Sequence, residues 1–507
     1  MSDVRQLAAS VVCAGFHGTS VNSELKTFLR DVPLAGVVLF GRNVETLAQV
    51  RALSDELRAL LSQPIVAIDQ EGGRVARIRD GVEEIPSALA IAAACAGAGS
   101  DDLAREAGEQ VAFDLRRAGA NVDFAPVADL ALTRMNTVIG TRAFGDDPER
   151  VARLAGAFAD GLERGGVAAT FKHFPGHGST SADSHLELPV IDADEAVLRS
   201  RDLIPFAALL PSASAVMTAH IVARAFDADR PATVSRRILT DLLRGELHFQ
   251  GVCFTDCLQM DAIAKGIGSE RAAVEALAAG ADCVLLSHDL NLAARTVEGI
   301  AHAAERGELP LARLEEAAAR VSRLRSTLKP PLPLEAPPPF PGIGNRIGLG
   351  AVTVIRGELW AGAADVAVSF ESPTTEGAQG AHDRHAALSG YASVREIRAP
   401  LDPREEDVER VLAEICDERP IVLMRRAHVY AGQKSAVDRV LAAHADALLV
   451  SVREPFDAFD FPQARNVACI YGDDAPSIAG LAAVLFGGEP ARGIFPLNSN
   501  GAAVARS

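Results

Sequence analysis

The stretch that decides the fold is Val167-Ala168-Ala169-Thr170-Phe171-Lys172-His173-Phe174-Pro175-Gly176-His177-Gly178. It opens as a largely apolar run and then turns abruptly to lysine and histidine. A run of this kind is typical of a parallel strand that is covered on both faces. The proline and the two glycines that follow exclude a continuing helix. The stretch therefore predicts a buried strand that ends in a shaped polar loop.

Seven further runs of the same kind lie in the first 290 residues. They are Val11–Cys13, Gly36–Phe40, Ile65–Ile68, Asn121–Phe124, Ala215–Thr218, Gly251–Phe254 and Asp282–Leu286. Stretches with the periodicity of helices separate several of them, at 46–62, 101–118, 148–164 and 269–280. Strands that alternate with helices in this way predict an α/β fold, a (β/α)8 barrel of the TIM type.

Ionisable residues collect where these strands end. Four of the runs are followed by ionisable residues: Asp69 follows one, Lys172 and His173 follow another, and His220 and Asp256 each follow one more. The carboxyl ends of barrel strands are where barrel enzymes build their sites. A doubly wound sheet places its site at the same edge. The pattern therefore predicts a site at the carboxyl ends, and it favours closure of the barrel without requiring it.

A proline-rich segment divides the chain. Residues 329–342 hold seven prolines in fourteen positions, which predicts a stiff linker or a strap across a surface. Before it, residues 1–328 form the predicted barrel, and after it residues 343–507 alternate strands and helices again. We expect a smaller α/β sandwich domain there. It either reaches over the barrel mouth and helps bind the substrate beyond the terminal residue, or it is a structural partner that covers the barrel, and we favour the structural role because no comparable His/Asp/Lys cluster ends its strands. The glycines of 342–348 resemble a dinucleotide loop, but no strand precedes them.

Composition excludes several classes of protein. The chain has 50 Lys and Arg against 67 Asp and Glu, a formal charge of −17, so we expect no nucleic-acid partner. No apolar run approaches the roughly 18 residues that span a bilayer, so we expect no membrane association. The amino terminus lacks the pattern of a signal peptide, and the seven cysteines form no CxxC pair. We therefore expect a cytoplasmic protein.

The aromatic residues also bear on the ligand. The single Trp, Trp360, and all three Tyr lie beyond residue 350. A groove that grips a long polymer commonly stacks such rings on its substrate. A site in the barrel is therefore expected to bind a small ligand through charged hydrogen bonds.

Three histidines, one lysine and one aspartate fall within residues 172–185. Solvated side chains and a metal site are two interpretations, although Pro175 keeps His173 and His177 from sharing a helical face. The third is acid/base chemistry. Asp183 and His185 are two residues apart, so the carboxylate can orient the imidazole and raise its pKa. This third interpretation is the one we favour.

Two other strand ends carry candidate residues. Asp256 follows Val252–Thr255 and suits either a nucleophile or the N-cap of a following helix. Asp69 can accept hydrogen bonds from sugar hydroxyls, and Arg77 can donate a fork of them. An internal ion pair is the competing interpretation of Asp69 and Arg77.

Taken together, these motifs resemble the β-N-acetylglucosaminidases of glycoside hydrolase family 3. The resemblance covers roughly residues 1–330, and a less specific likeness runs from 470 to 497. It is carried by Asp69-Gln-Glu-Gly-Gly-Arg-Val75, Phe124-Ala-Pro-Val-Ala-Asp129, Gly140-Thr-Arg-Ala-Phe-Gly145, Lys172-His-Phe-Pro-Gly-His-Gly178, Asp183-Ser-His185, Met217-Thr-Ala-His220 and Phe254-Thr-Asp256.

The resemblance implies a retaining double displacement on a small carbohydrate, without a metal or an organic cofactor. Asp256 matches the nucleophile, and His185 matches the acid/base, backed by Asp183. The positions that match sugar-binding residues of the family are Asp69, Arg77, Arg142, Lys172, His173 and His220. One departure is Cys257, where the family usually has a second aspartate after the nucleophile.

The resemblance also implies a substrate, terminal N-acetylglucosamine on peptidoglycan fragments. A β-glucosidase of the same family is the nearest competing hypothesis, although such enzymes typically take a carboxylate acid/base from elsewhere. Two more distant hypotheses are a catalytically silent sugar-binding protein and a metal-dependent hydrolase.

Overall fold

The computed structural model describes residues 3–180, 188–359, 366–371 and 386–498. Eight parallel strands close into a barrel in which each strand pairs with its neighbours in the chain, and β8 pairs with β1. The strands are β1 (Val12–Ala14), β2 (Gly36–Leu39), β3 (Ile65–Ile68), β4 (Val122–Asp123), β5 (Ala168–Phe174), β6 (Ala215–Thr218), β7 (Val252–Cys257) and β8 (Cys283–Leu286). The predicted TIM-type barrel is confirmed.

Helices surround this barrel, and the four predicted at 46–62, 101–118, 148–164 and 269–280 are among them. The helices are α1 (Asp3–Ala9), α2 (Ser23–Asp31), α3 (Leu47–Leu60), α4 (Ala88–Ala98), α5 (Asp102–Ala118), α6 (Pro148–Arg164), α7 (Glu195–Ser200), α8 (Leu203–Leu209), α9 (Asp261–Ala264), α10 (Ser269–Ala279), α11 (Leu290–Glu305) and α12 (Leu311–Thr327). A π-helical segment, Arg237–Glu246, lies between β6 and β7. Two short β-pairs, Gln70–Gly72 with Val75–Ala76 and Val190–Ile191 with Val222–Ala223, lie outside the barrel wall.

The alternation of side chains along each strand explains why both faces are apolar. Val38, Ala67 and Phe254 point into the barrel and form one cluster there. Their neighbours Val37 and Val66 point outward and pack in the layer of helices. Both sets are buried, so most positions of these strands carry apolar side chains. This is the physical origin of the continuous runs in the sequence.

The proline-rich segment lies across the barrel as a strap. Between α12 and residue 343 it contains no helix or strand. Arg116 donates to the carbonyl of Pro330 at 3.0 Å, and Arg117 donates to the carbonyl of Leu334 at 2.8 Å. Both arginines belong to α5, so the segment is fixed to a barrel helix.

The second domain is built on a six-stranded sheet in the order β9-β14-β13-β12-β10-β11. Its strands are β9 (Thr353–Arg356), β10 (Val366–Glu371), β11 (Arg395–Pro400), β12 (Pro420–Met424), β13 (Leu448–Ser451) and β14 (Asn466–Cys469). Only β9 runs antiparallel to its neighbour among these strands. Its helices are α13 (Ile343–Ala351), α14 (Glu405–Ile415), α15 (Ala431–Ala443) and α16 (Ala475–Gly487).

Helices cover both faces of this sheet. Ile421 and Leu423 of β12 pack with α16, whereas Val422 and Met424 pack with α14 and α15. The predicted α/β sandwich is therefore confirmed. The sequence missed β11, because this edge strand alternates between exposed and buried residues and has no continuous apolar run.

The glycines of 342–348 serve helix packing. They open α13, and a Cβ at Gly348 would lie 2.1 Å from the carbonyl oxygen of Pro476 in α16. Only glycine permits this approach. Within the described residues, no helix combines the length and the apolar character needed to cross a bilayer.

Candidate functional site

The candidate site lies at the carboxyl ends of the barrel strands. Asp69 comes directly after β3, His220 lies two residues beyond β6, and Asp256 is the penultimate residue of β7. Lys172 and His173 lie inside β5, which extends three residues further than the apolar run alone indicates. Asp256 is no helix cap, because the next helix, α9, begins at Asp261.

A buried network of charges forms the centre of the site. Lys172 Nζ lies 2.8 Å from Asp69 Oδ1 and 2.6 Å from Glu71 Oε1. Arg142 donates two hydrogen bonds of 2.8 Å to the carboxylate of Glu71. The lysine side chain is only 2% exposed. Buried charges are tolerated only when they are paired, and this network pairs each of them.

These partners fix the protonation states in the network. Burial alone would lower the pKa of Lys172, but the carboxylates of Asp69 and Glu71 raise it above its usual value. Burial would raise the pKa of Glu71, and Arg142 and Lys172 outweigh it and hold that pKa far below its usual range. The network is therefore fully charged at neutral pH.

Arg77 lies beside this network. Its Nη2 is 3.5 Å from Asp69 Oδ2, and its backbone N–H donates to Gln70. Its buried Nε has no hydrogen-bond partner among the described residues. The internal ion pair is therefore present, and one donor of Arg77 is still without a partner among the described residues.

Asp129 organises the histidine-rich loop. Its carboxylate lies 2.6 Å from His173 Nδ1 and accepts the backbone N–H of His177 at 2.7 Å. A carboxylate at that distance requires a proton on Nδ1 of His173. Burial, and then the neighbouring His173, lower the pKa of His177 to about 4, so its ring is neutral at pH 7. His177 Nδ1 lies 2.9 Å from Thr180 Oγ1, so the ring takes part in the internal hydrogen bonds of the loop.

Two hydrogen bonds fix Asp256, one through its backbone and one through its carboxylate. Its backbone N–H donates to Thr218 Oγ1 at 3.3 Å, and its Oδ1 accepts the N–H of Cys257 at 2.6 Å. The carboxylate belongs to a partly exposed residue at the barrel mouth. Burial raises the pKa of the Cys257 thiol to about 11. The departure from the family pattern therefore places a neutral side chain next to Asp256.

His220 contacts the backbone next to Asp256. Its Nδ1 is 2.7 Å from Thr233 Oγ1, and its Nε2 is 2.9 Å from the carbonyl oxygen of Cys257. The residue is completely buried. Both ring nitrogens thus contact the protein, and the contacts support the backbone that follows Asp256. A direct contact with sugar stays a prediction.

Asp183 and His185 lie in 181–187, outside the described residues. The described residues hold no group of three or more His, Cys, Asp or Glu side chains arranged for a metal ion. Glu71 and Asp129 are site residues that we did not single out from the sequence. Both stand inside motifs that we quoted. The available signal was a second carboxylate two residues after Asp69 in one case and a carboxylate at the end of an apolar segment in the other.

The barrel domain is the part of the chain that matches a known protein family. Residues 2–324 match the family model described as glycosyl hydrolase family 3 N terminal domain. A β-hexosaminidase of Pseudomonas aeruginosa is 43% identical over 273 residues, which are 54% of this chain and 80% of that protein. A β-hexosaminidase of Tolumonas auensis is 40% identical over 287 residues, 56% of this chain and 84% of that protein.

Solved structures are similar as well. A glycoside hydrolase family 3 β-N-acetylglucosaminidase from Paenibacillus sp. superposes with a TM-score of 0.91 at 31% identity and covers 98% of this chain and 99% of its own. NagZ from Neisseria gonorrhoeae, in complex with N-trifluoroacetyl-D-glucosamine, has a TM-score of 0.57 at 31% identity and covers 67% of this chain and 96% of its own.

Proposed function

The chain belongs to glycosyl hydrolase family 3 and is a glycoside hydrolase of the β-hexosaminidase type, and from this premise we propose that it is a retaining exo-β-N-acetylglucosaminidase. One observation carries the proposal. Asp256, at the end of β7, shares the barrel mouth with the buried network of Asp69, Glu71, Lys172 and Arg142. A partly exposed carboxylate beside fixed charged donors and acceptors suits attack on a bound sugar.

In the first step the carboxylate of Asp256 attacks the anomeric carbon, and the bond to the leaving oxygen breaks. His185 gives that oxygen its proton, and a glycosyl ester of Asp256 remains. In the second step His185 takes a proton from water, whose oxygen attacks the anomeric carbon and releases Asp256. Asp183, two residues away, orients the imidazole and favours its protonated form.

The charged network binds the terminal sugar in this proposal. Asp69 accepts hydrogen bonds from hydroxyl groups, while Lys172 and Arg142 donate them. Because these side chains already hold one another, little conformational entropy is lost when the sugar binds. His173 presents Nε2 to the site, since its Nδ1 is taken by Asp129.

Two relatives support an N-acetylated sugar. The Paenibacillus protein is a β-N-acetylglucosaminidase, and the Neisseria protein holds an N-acylated glucosamine. Peptidoglycan fragments as the source of that sugar, and the cytoplasm as the place of the reaction, rest on the family resemblance and on composition. The seven free cysteines agree with a reducing compartment.

The deciding assay compares release of nitrophenol from the β-N-acetylglucosaminide and from the β-glucoside. We expect strong preference for the first, and preference for the glucoside would make the chain a β-glucosidase. Asp256→Asn should lose nearly all turnover, and a 2-fluoro sugar should label Asp256. Asp55→Asn, on the exposed face of α3, is the matched control. Labelling of another carboxylate would refute the assignment.

A second test addresses the acid/base. His185→Ala should slow substrates with poor leaving groups far more than nitrophenyl substrates, because good leaving groups need less protonation. Asp183→Ala should act in the same direction and more mildly. An equal loss on both kinds of substrate would mean that His185 only binds sugar or shapes its loop.

A further inference from the structure

We infer that the second domain is a working part of the active site, because it holds the barrel loop 133–142 in the position from which Arg142 reaches the charged network. The inference rests on the proposed function, since it assigns Arg142 to the binding of the terminal sugar. From the sequence we favoured a structural role, which accounts for the docking of the two domains but gives the contacts with this loop no part in the site.

One group of contacts holds the start of the loop. Arg134 forms an ion pair with Asp460, with one contact of 3.0 Å, and both side chains are about 15% exposed. The carbonyl of Arg134 also lies 3.1 Å from His428 Nε2, whose Nδ1 is 2.6 Å from Asp457. The second domain thus grips both the side chain and the backbone of one loop residue.

A second group holds the middle of the loop. The carbonyl of Thr137 accepts from Arg74 of the barrel at 2.7 Å and lies 3.5 Å from Arg426 of the second domain. Arg426 is itself fixed by two hydrogen bonds, of 3.1 and 3.3 Å, to Glu454. Arginines from both domains therefore converge on a single carbonyl group.

The end of the loop lies directly against the same ion pair. Gly140 adopts a positive φ of 43°, and a Cβ there would lie 2.8 Å from Glu454 Oε1. Two residues later, Arg142 donates to the carbonyl of Val138 at 3.1 Å and to Glu71 at 2.8 Å. The position of Glu454 therefore limits the position of the Arg142 guanidinium.

The loop also supports the histidine-rich segment. Asn136 donates to the carbonyl of His177 at 3.0 Å, and Thr180 donates to that same carbonyl at 3.0 Å. Thr180 is the last described residue before 181–187, which holds the acid/base of the proposal. One loop thus joins the second domain to the sugar-binding network and to the histidine-rich segment.

The test uses the full chain and the variants Asp460→Ala and Arg426→Met. If the contacts position the site, both variants should raise KM for the nitrophenyl N-acetylglucosaminide and the inhibition constant of N-acetylglucosamine about tenfold, as expected for losing a charged hydrogen bond. Arg426→Lys should recover part of the loss. Asp446→Ala, which breaks an exposed ion pair with Arg465 in the same domain, is the control and should change neither constant.

Hydrogen exchange provides a readout that does not depend on turnover. Peptides that cover 133–142 should exchange faster in both variants than in the wild type. Folded variants with unchanged KM, inhibition constant and exchange, or with a lower Tm as their only defect, would overturn the inference. If Arg426→Met does not fold, Asp460→Ala decides, because its ion pair lies closer to the surface. A wild type inactive on this substrate would instead refute the proposed function. Hydrogen exchange would then still test whether the second domain holds the loop 133–142 in place.

Discussion

Asp123 gives the sharpest prediction about charge in the barrel. This residue ends β4 and is completely buried, and its Oδ1 accepts the backbone N–H of Gln70 at 2.9 Å. Its Oδ2 has no hydrogen-bond partner among the described residues. Burial raises the pKa of Asp123 to about 8, against the weaker opposing effects of the Gln70 N–H and Lys172. Asp123 is therefore a neutral acid at pH 7, and Asp123→Asn should stabilise the protein.

The magnitude follows from proton linkage. An unfolded aspartate loses its proton near pH 3.8, whereas the folded one keeps it to about pH 8, so stability falls as pH rises between these values. Each pH unit costs about 1.4 kcal/mol, which reaches about 4 kcal/mol at pH 7. Asparagine keeps the acceptor for Gln70 and has no proton to lose. Its advantage should therefore grow from about 1.5 kcal/mol at pH 5 to about 4 kcal/mol at pH 7.

Urea unfolding at pH 5, 6 and 7, followed by circular dichroism, measures this difference. The control is Asp129→Asn, which should destabilise the protein because His173 and the neighbouring N–H groups hold the pKa of Asp129 low in spite of its burial. KM of Asp123→Asn at pH 7 should stay close to that of the wild type, since the charge beside Lys172 does not change. A stability difference that does not vary with pH, or a destabilised Asp123→Asn, would refute the reasoning.

Two further predictions concern buried charges. Lys172→Met leaves two buried carboxylates without their shared cation, so it should lower the free energy of unfolding in urea by about 3–5 kcal/mol. The control Lys265→Met removes an exposed ion pair and should lower it by less than about 1 kcal/mol. Equal losses would contradict the buried network. The second prediction concerns His428, whose Nδ1 faces Asp457 and whose Nε2 faces the carbonyl of Arg134, so both ring nitrogens must donate. Burial alone would lower the pKa of His428, but Asp457 outweighs burial and raises that pKa. The stabilisation by the protonated His428 should be complete below about pH 6.5 and should disappear as pH rises through the raised pKa of the folded state. The Tm difference between the wild type and His428→Gln should therefore shrink from about pH 6 to about pH 9. A constant difference would refute the doubly protonated ring.

The barrel strands were predictable because the signal is local. A strand between two layers of apolar side chains needs apolar residues at every position, and that requirement is visible in runs such as Ile65–Ile68 and Val252–Phe254. The carboxyl ends of parallel strands share one edge, so Asp69, Lys172 and Asp256 could be assigned to one site without coordinates. The edge strand Arg395–Pro400 lacks that requirement and was missed.

The sequence by itself thus determined the barrel strands, the end of the barrel where the polar residues gather and the family resemblance that implies their chemistry. Tertiary structure decided which charges pair. Glu71 is the shared partner of Lys172 and Arg142, and the sequence does not show which cations this carboxylate pairs with. The tertiary structure also decided that Arg426 and Glu454 lie against the loop that holds Arg142, although that loop is about three hundred residues earlier in the chain. Spacing in a sequence reports only on neighbours within one element, whereas these contacts join residues of two domains that lie far apart in the chain.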